Sequence, residues 1–207
     1  MAPRRRGKGS EYEGGIRVPL IVHWPSKVAA GQVIDKPVHI IDLYPTFMEI
    51  AGGDAGSHHL DGASILSLMD GRGGFDRDAI YMHTPLYIPH YNKTPSSLIR
   101  TDDYKLIYFH GDYLHESDYK TVIPGERYEL YRINEDISEQ KNLADAMPEK
   151  TVELKSKLHA WLEETGAQMP VINPDFDLDD WQFKTSSRLD HQGNVIPQNA
   201  SKGQKKK

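Results

Sequence analysis

The sequence predicts an α/β protein, namely the end of a large mixed sheet followed by an α+β subdomain with a small antiparallel sheet and one packed helix. Three observations predict it. Val18 to Trp24 is a nearly continuous apolar run closed by Pro25, the pattern of a strand buried on both faces. From Asp78 onward, short runs rich in aromatic and branched residues follow one another at strand length. At Pro148 the pattern changes to an amphipathic helical period.

Residues 1–15 carry four Lys/Arg and four Gly with almost no apolar side chains, which predicts an exposed or site-lining loop. Pro19 then falls at the start of the apolar run, where a missing donor is tolerated. Asp42 is placed to cap a short helix with Pro45 in its first turn, Leu43, Phe47 and Ile50 on one side, and Gly52-Gly53 as its stop. Leu60-Asp61-Gly62 reads as a turn, and Ile65, Leu66, Leu68 and Met69 form a second helical piece before the glycine-rich loop Asp70 to Gly74.

The expected strands are Ala79 to His83, Ser97 to Arg100, Tyr104 to Phe109 and Arg127 to Arg132. Asp102-Asp103 supplies the turn between the second and third. Pro148 opens the long helix, Leu154, Leu158, Trp161 and Leu162 share one face, and Gly166 with Pro170 ends it. Beyond Asp177 the chain is poor in aliphatics and rich in Asn, Gln, Ser and Lys, which predicts a tail with a disordered end. The expected division is 1–76, the end of a catalytic α/β domain; 77–170, the sheet and helix subdomain; and 171–207, the tail.

Composition excludes several functions. The 207 residues hold 38% hydrophobic and 27% charged side chains with a formal charge of -5, so no global basic field exists to hold a nucleic acid. No apolar run approaches the ~20 residues of a membrane span. Cysteine is absent, which removes disulfides, thiolate metal sites and any cysteine-derived nucleophile. Arg4-Arg5-Arg6 and the Lys-rich end read as solvated termini, and the adjacent His58-His59 as surface loop residues without a third metal ligand.

The densest candidate for chemistry is Gly7-Lys8-Gly9-Ser10-Glu11-Tyr12-Glu13-Gly14-Gly15-Ile16-Arg17-Val18-Pro19. It is not a phosphate-binding loop of the Gly-Lys-Ser/Thr kind, because Gly follows Lys8 and the strand comes after it. A lysine between two glycines is accessible to a small anion, and as a point charge it can neutralise phosphate or sulfate oxygens. By spacing alone, Lys8 reads first as a solvated loop lysine, a pattern several times commoner than an anion-contacting one. Glu13 is expected to hold the local backbone or Arg17, and Glu11 to be solvated.

This block, continued through Ile21-Val22-x-Trp24-Pro25, resembles the second signature region of the type I sulfatases, in the alkaline-phosphatase-like superfamily. Ile41-Asp42-Leu43-Tyr44-Pro45-Thr46, Leu60-Asp61-Gly62-x-Ser64-Ile65, Thr94 to Arg100, Asp103 to Ile107, Glu129-Leu130-Tyr131 and Asn142-Leu143-Ala144 are similar to later blocks of that family, in the same order. The resemblance spans roughly Gly7 to Pro170.

It implies an alkaline-phosphatase-like fold, present in part, and a sulfuric ester hydrolase that releases inorganic sulfate from an aryl or carbohydrate ester. Lys8 would then be catalytic, contacting the sulfate, while His83, His90 and Arg100 would line the substrate site with Lys8. Family enzymes use a formylglycine made from Cys or Ser in C/S-x-P-S/A-R, beside a calcium ion held by Asp and Asn. Here the nearest string, Lys93-Thr94-Pro95-Ser96-Ser97, has Lys at the nucleophile position and no final Arg, and the family's early Asp pair and Asp-Asn-Gly are missing. The chain is therefore expected to be a C-terminal portion, inactive alone, with a missing N-terminal catalytic segment as its partner and no metal ligands of its own. Export to a periplasmic, extracellular or lysosomal-type compartment is expected from the family. A phosphoester or phosphonate hydrolase of the same superfamily and a non-catalytic module for sulfated glycans are the alternatives.

Overall fold

The computed structural model describes residues 3–86, 94–111, 113–114, 122–123, 125–171, 174, 188–189 and 195–196. In chain order the strands are β1 Ile80–Thr84, β2 Ser96–Arg100, β3 Tyr104–Phe109, β4 Tyr113–Leu114, β5 Val122–Ile123, β6 Arg127–Arg132, β7 Arg188–Leu189 and β8 Val195–Ile196. The main sheet is antiparallel with order β1-β2-β3-β6, while β4 pairs with β5 and β7 with β8. Thr101 closes the β2 to β3 turn through its N–H and hydroxyl, both directed at the Tyr104 carbonyl, which leaves Asp102 and Asp103 at the tip as their turn chemistry predicts.

The sheet is covered on both faces, so β2 and β3 are buried along almost their whole length rather than at alternate positions, Ser96, Ser97 and Lys105 included. On one face the cross-strand partners Ile99, Leu106 and Leu130 meet helix α4, Pro148–Glu164, through Leu154, Leu158 and Leu162. Each of those leucines is almost fully removed from water, worth about 2 kcal/mol apiece. The helix starts where Pro148 loses nothing by lacking an N–H and ends where Gly166 takes φ 59°.

The opposite face, formed by Leu98, Ile107, Phe109 and Tyr131, is covered by the N-terminal arm, whose Tyr12 is 1% exposed. A short helix, α1 Glu13–Ile16, closes that arm. The arm was expected to be a loop without a buried face, yet Ser10, Glu11, Tyr12 and Glu13 are all buried. Charged and aromatic side chains do the covering that aliphatic ones usually do, which hides the packing from a hydrophobic pattern.

The segment between arm and sheet carries α2, Leu43–Ile50, and α3, Leu66–Met69, near the predicted places. Asp42 precedes α2, but its carboxylate does not cap that helix. It accepts from the N–H of His39 at 2.7 Å and of Ala63 at 3.0 Å, and pairs with both terminal nitrogens of Arg77, one of them at 2.6 Å. This ties the Asp61-Gly62 loop to the start of α2.

Val18 to Trp24, expected as a buried strand, takes no regular structure. Val18 is 79% and Ile21 87% exposed. Among the described residues no strand lies alongside to accept its backbone donors, and an apolar run becomes a strand only against such a partner. The 171–207 tail expectation falls almost wholly outside the described residues.

Candidate functional site

Lys8 stands at the corner of a turn closed by the Ser10 N–H donating to the Gly7 carbonyl at 3.1 Å. Gly9 follows at φ 90°, while Lys8 is not among the positive-φ residues, so this is a type II turn with glycine at its required position. Lys8 is exposed and makes no hydrogen bond or ion pair among the described residues. Its ammonium therefore faces solvent, available to an anion.

What holds the turn lies beneath it. Tyr12 donates its hydroxyl to Glu129 at 2.8 Å and meets the Tyr131 ring edge-on. Arg5 lies over the Tyr12 ring at 3.9 Å and donates to the Tyr131 hydroxyl at 2.9 Å and the Glu139 carbonyl at 3.0 Å. Gly14 donates its N–H to the Arg5 carbonyl at 3.0 Å, and a Cβ at Gly14 would fall 2.4 Å from that oxygen. A Cβ at Gly15 would meet the Ser10 carbonyl oxygen at 2.2 Å. The paired glycines thus permit the arm to fold back on itself.

At the centre is Lys105, the second residue of β3, with no exposed surface. Its ammonium donates to the Glu11 carbonyl at 3.1 Å and to the Glu13 carboxylate at 3.1 Å, and pairs with the Glu139 carboxylate. Glu139 in turn accepts the Glu13 N–H at 2.6 Å. Burial works against ionisation of Glu13, but the Lys105 charge and hydrogen bond outweigh it and hold the carboxyl below its usual range. At Glu139 burial prevails over Lys105 and the carboxyl is pushed up. Glu11 and Arg5, both expected to be solvated, are parts of this packing because a charged group here finds partners inside. Glu13 does reach Arg17, at 3.4 Å, as expected.

Among the other residues expected to line the substrate site, Arg100 is on the arm side of the sheet. It lines an open groove of about 690 Å³ with Glu13, Arg17, Ile80 and Met82, and Lys8 is not part of that groove. Burial lowers the Arg100 guanidinium from its ordinary value. His83 is on the other face. Its Nδ1 lies 2.8 Å from Ser97 Oγ and its Nε2 2.9 Å from the Gln168 carbonyl, just beyond α4. His83 and Arg100 are therefore separated by the sheet and do not share a pocket, since strand residues of opposite parity face opposite ways. His90 lies outside the described residues.

Sequence reasoning missed Lys105, Glu139 and His110. The signal for Lys105 was present: it shares its strand face with Ile107 and Phe109, and a charge in an apolar row implies a buried partner. His110 Nε2 lies 2.8 Å from Ser97 Oγ, completing a chain His83, Ser97, His110. Because the Gln168 carbonyl only accepts, a neutral His83 carries its proton on Nε2 and accepts from Ser97, and His110 donates to Ser97. Burial, then the neighbouring His83, push the His110 imidazole down to about 4.

Among the described residues no group of three or more His, Cys, Asp or Glu converges in a way that could hold a metal ion, so they do not fit the calcium site of the sulfatase pattern. Cysteine is absent from the whole sequence. No described helix is long and apolar enough to cross a membrane.

Comparison with known proteins bears on this geometry. The family model for N-sulphoglucosamine sulphohydrolase, C-terminal, matches residues 7–168. A "Sulfatase" of Formosa agariphila is 33% identical over 182 residues, covering 80% of this chain and 30% of that protein. A structure solved in complex with its substrate D-glucosamine-2-N,6-O-disulfate is 28% identical with TM-score 0.54, over 74% of this chain and 30% of the other. Ps i-CgsB in complex with k-i-k-neocarrahexaose is 26% identical with TM-score 0.61, over 89% of this chain and 39% of the other. The chain thus spans about a third of the length of these relatives.

Proposed function

The chain belongs to the sulfatase family of the alkaline-phosphatase-like superfamily, as a C-terminal portion, and from that premise we propose that it serves in hydrolysing a sulfate ester of a carbohydrate to release inorganic sulfate. The observation that carries the reading is Lys8: an exposed ammonium with no partner among the described residues, at the corner of a turn whose underside is locked to the sheet. Held there, it offsets negative charge on the sulfate oxygens as the sulfur is attacked, without moving at the moment of reaction. A carbohydrate is favoured over an aryl group because the two related structures named above carry a glucosamine disulfate and a neocarrahexaose.

The formylglycine nucleophile and the calcium ion belong to the rest of the family pattern: the sequence has no cysteine, and among the described residues no cluster converges to hold a metal. Its partner is accordingly an N-terminal catalytic segment. Exposed Val18, Ile21, Val33, Ile40 and Phe47 give that segment apolar surface to cover. Residues 1–76 then belong to the catalytic domain, 77–170 form the subdomain behind it, and 171–207 its tail. The compartment is an exported one, as is usual for the family. The test is sulfate release from glucosamine 6-sulfate by the chain alone, by the chain with the catalytic segment, and by the same pair carrying Lys8→Ala. Activity only in the pair, lost in the variant, supports the reading. Full activity in Lys8→Ala removes Lys8 from the chemistry.

A further inference from the structure

We infer that Lys105 and Glu139 are positioning residues for Lys8: a buried ionic clip, built from β3 and the loop after β6, sets where the lysine turn is held. The inference rests on the reading of Lys8 given above and adds to it the residues through which the fold controls that turn.

Four observations converge on the clip. First, Lys105 reaches the arm at two places, the Glu11 carbonyl and the Glu13 carboxylate, both at 3.1 Å and both within five residues of Lys8. Second, Glu139 has no exposed surface, pairs with Lys105, and accepts the Glu13 N–H at 2.6 Å. Third, the Glu139 carbonyl accepts from Arg5 at 3.0 Å, so one residue grips the arm on both sides of the turn, at positions 5 and 13. Fourth, Glu139 takes φ 53°, the left-handed region that disfavours a side chain. Such a backbone persists only where its surroundings hold it, and here the Glu139 N–H donates to the Asp136 carbonyl at 3.0 Å while its carbonyl accepts from Arg5 of the arm.

The clip is specific to the arm. The sheet has its own apolar core on the α4 face, with Ile99, Leu106, Leu130 and Leu158, to which neither Lys105 nor Glu139 contributes. Lys8, in contrast, sits in a turn closed by the single Ser10 to Gly7 hydrogen bond, and α1 is a single helical turn. A short turn of this kind has little stability of its own. Its position therefore follows whatever fastens residues 5 and 11 to 13.

Hydrogen exchange on the full chain tests the clip. In Glu139→Gln the Ser10 and Gly14 amides are expected to exchange about tenfold faster while those of Leu106, Ile107 and Leu130 stay within about twofold. Lys105→Met is expected to do the same more severely and Lys105→Arg to restore most of the protection. In the pair assembled with the catalytic segment, Glu139→Gln is expected to lower kcat/KM about tenfold, and to have no further effect when Lys8→Ala is already present. Unchanged exchange at Ser10 and Gly14, equal acceleration throughout the sheet, or additive kinetic losses would each overturn the clip while leaving the Lys8 reading intact. If Lys8→Ala alone leaves turnover unchanged, it is the Lys8 reading that fails, whatever the exchange data show.

Discussion

His83 on β1 and Ser97 on β2 are direct cross-strand partners, and their side chains meet with Nδ1 2.8 Å from Oγ. The other ring nitrogen is engaged by the Gln168 carbonyl, so the imidazole fastens the segment after α4 to the edge of the sheet. Two net hydrogen bonds of this kind are worth about 1–3 kcal/mol. His83→Ala is expected to lower the urea midpoint accordingly and to loosen the chain around Gln168. A midpoint equal to the wild type would mean that the two bonds merely replace bonds to water.

His110 gives that chain a pH dependence. Its imidazole titrates near 4 in the fold because burial, then His83, oppose its charge, whereas an unfolded histidine titrates near its ordinary 6.5. Between these values the unfolded chain binds the extra proton, so stability falls as pH drops from about 6.5 to about 4 and levels off below. With partial exposure and solvent screening the loss is about 1 kcal/mol. Chemical denaturation across that window should show the slope, and His110→Gln should flatten it.

The glycines of the arm are expected to differ in a defined order. Gly7→Ala meets nothing within 4 Å and should change the melting temperature little. Gly9→Ala places a side chain at φ 90° and should cost about 1–2 kcal/mol. Gly15→Ala should be worse, because its Cβ would lie 2.2 Å from a backbone oxygen that cannot move without opening the arm. Thermal unfolding of the three variants tests the ranking.

Asp42 has no exposed side-chain surface and is paired with Arg77. Burial disfavours its charge, but the Arg77 hydrogen bond and the His39 and Ala63 N–H groups more than compensate and hold the carboxyl below its usual range. That stability is complete above the ordinary carboxylate pKa and is lost as pH falls through the lower folded value. Asp42→Ala strands the guanidinium and should cost about 3–5 kcal/mol in denaturant unfolding. Asp42→Asn keeps an acceptor and should cost less.

Legibility followed the kind of signal available. Strand β3 runs from Tyr104 to Phe109 and β6 from Arg127 to Arg132 as the sequence predicts, because aromatic and branched residues filling both sides of a strand leave a dense local mark. Lys8 could be singled out because a glycine-flanked lysine is a local pattern. The partners of Tyr12 and Glu13, by contrast, lie 117 and 126 residues away at Glu129 and Glu139, beyond any window in which periodicity is read. His83 and Arg100 could not be told apart as site residues until register placed them on opposite faces, since a single step in parity reverses a side chain.

Local pattern accounts for α4 and the four strands of the main sheet, through the spacing of leucines and strand propensity, and it singles out the glycine-flanked Lys8; the turn that presents this lysine came from the structure. Only the tertiary structure decided that a charged arm covers one face of the sheet and that Val18 to Trp24 stays unpaired. Both depend on which partner a segment meets. A buried ion pair is favourable only when its counter-charge is placed within a few ångströms, and a strand exists only when another lies beside it.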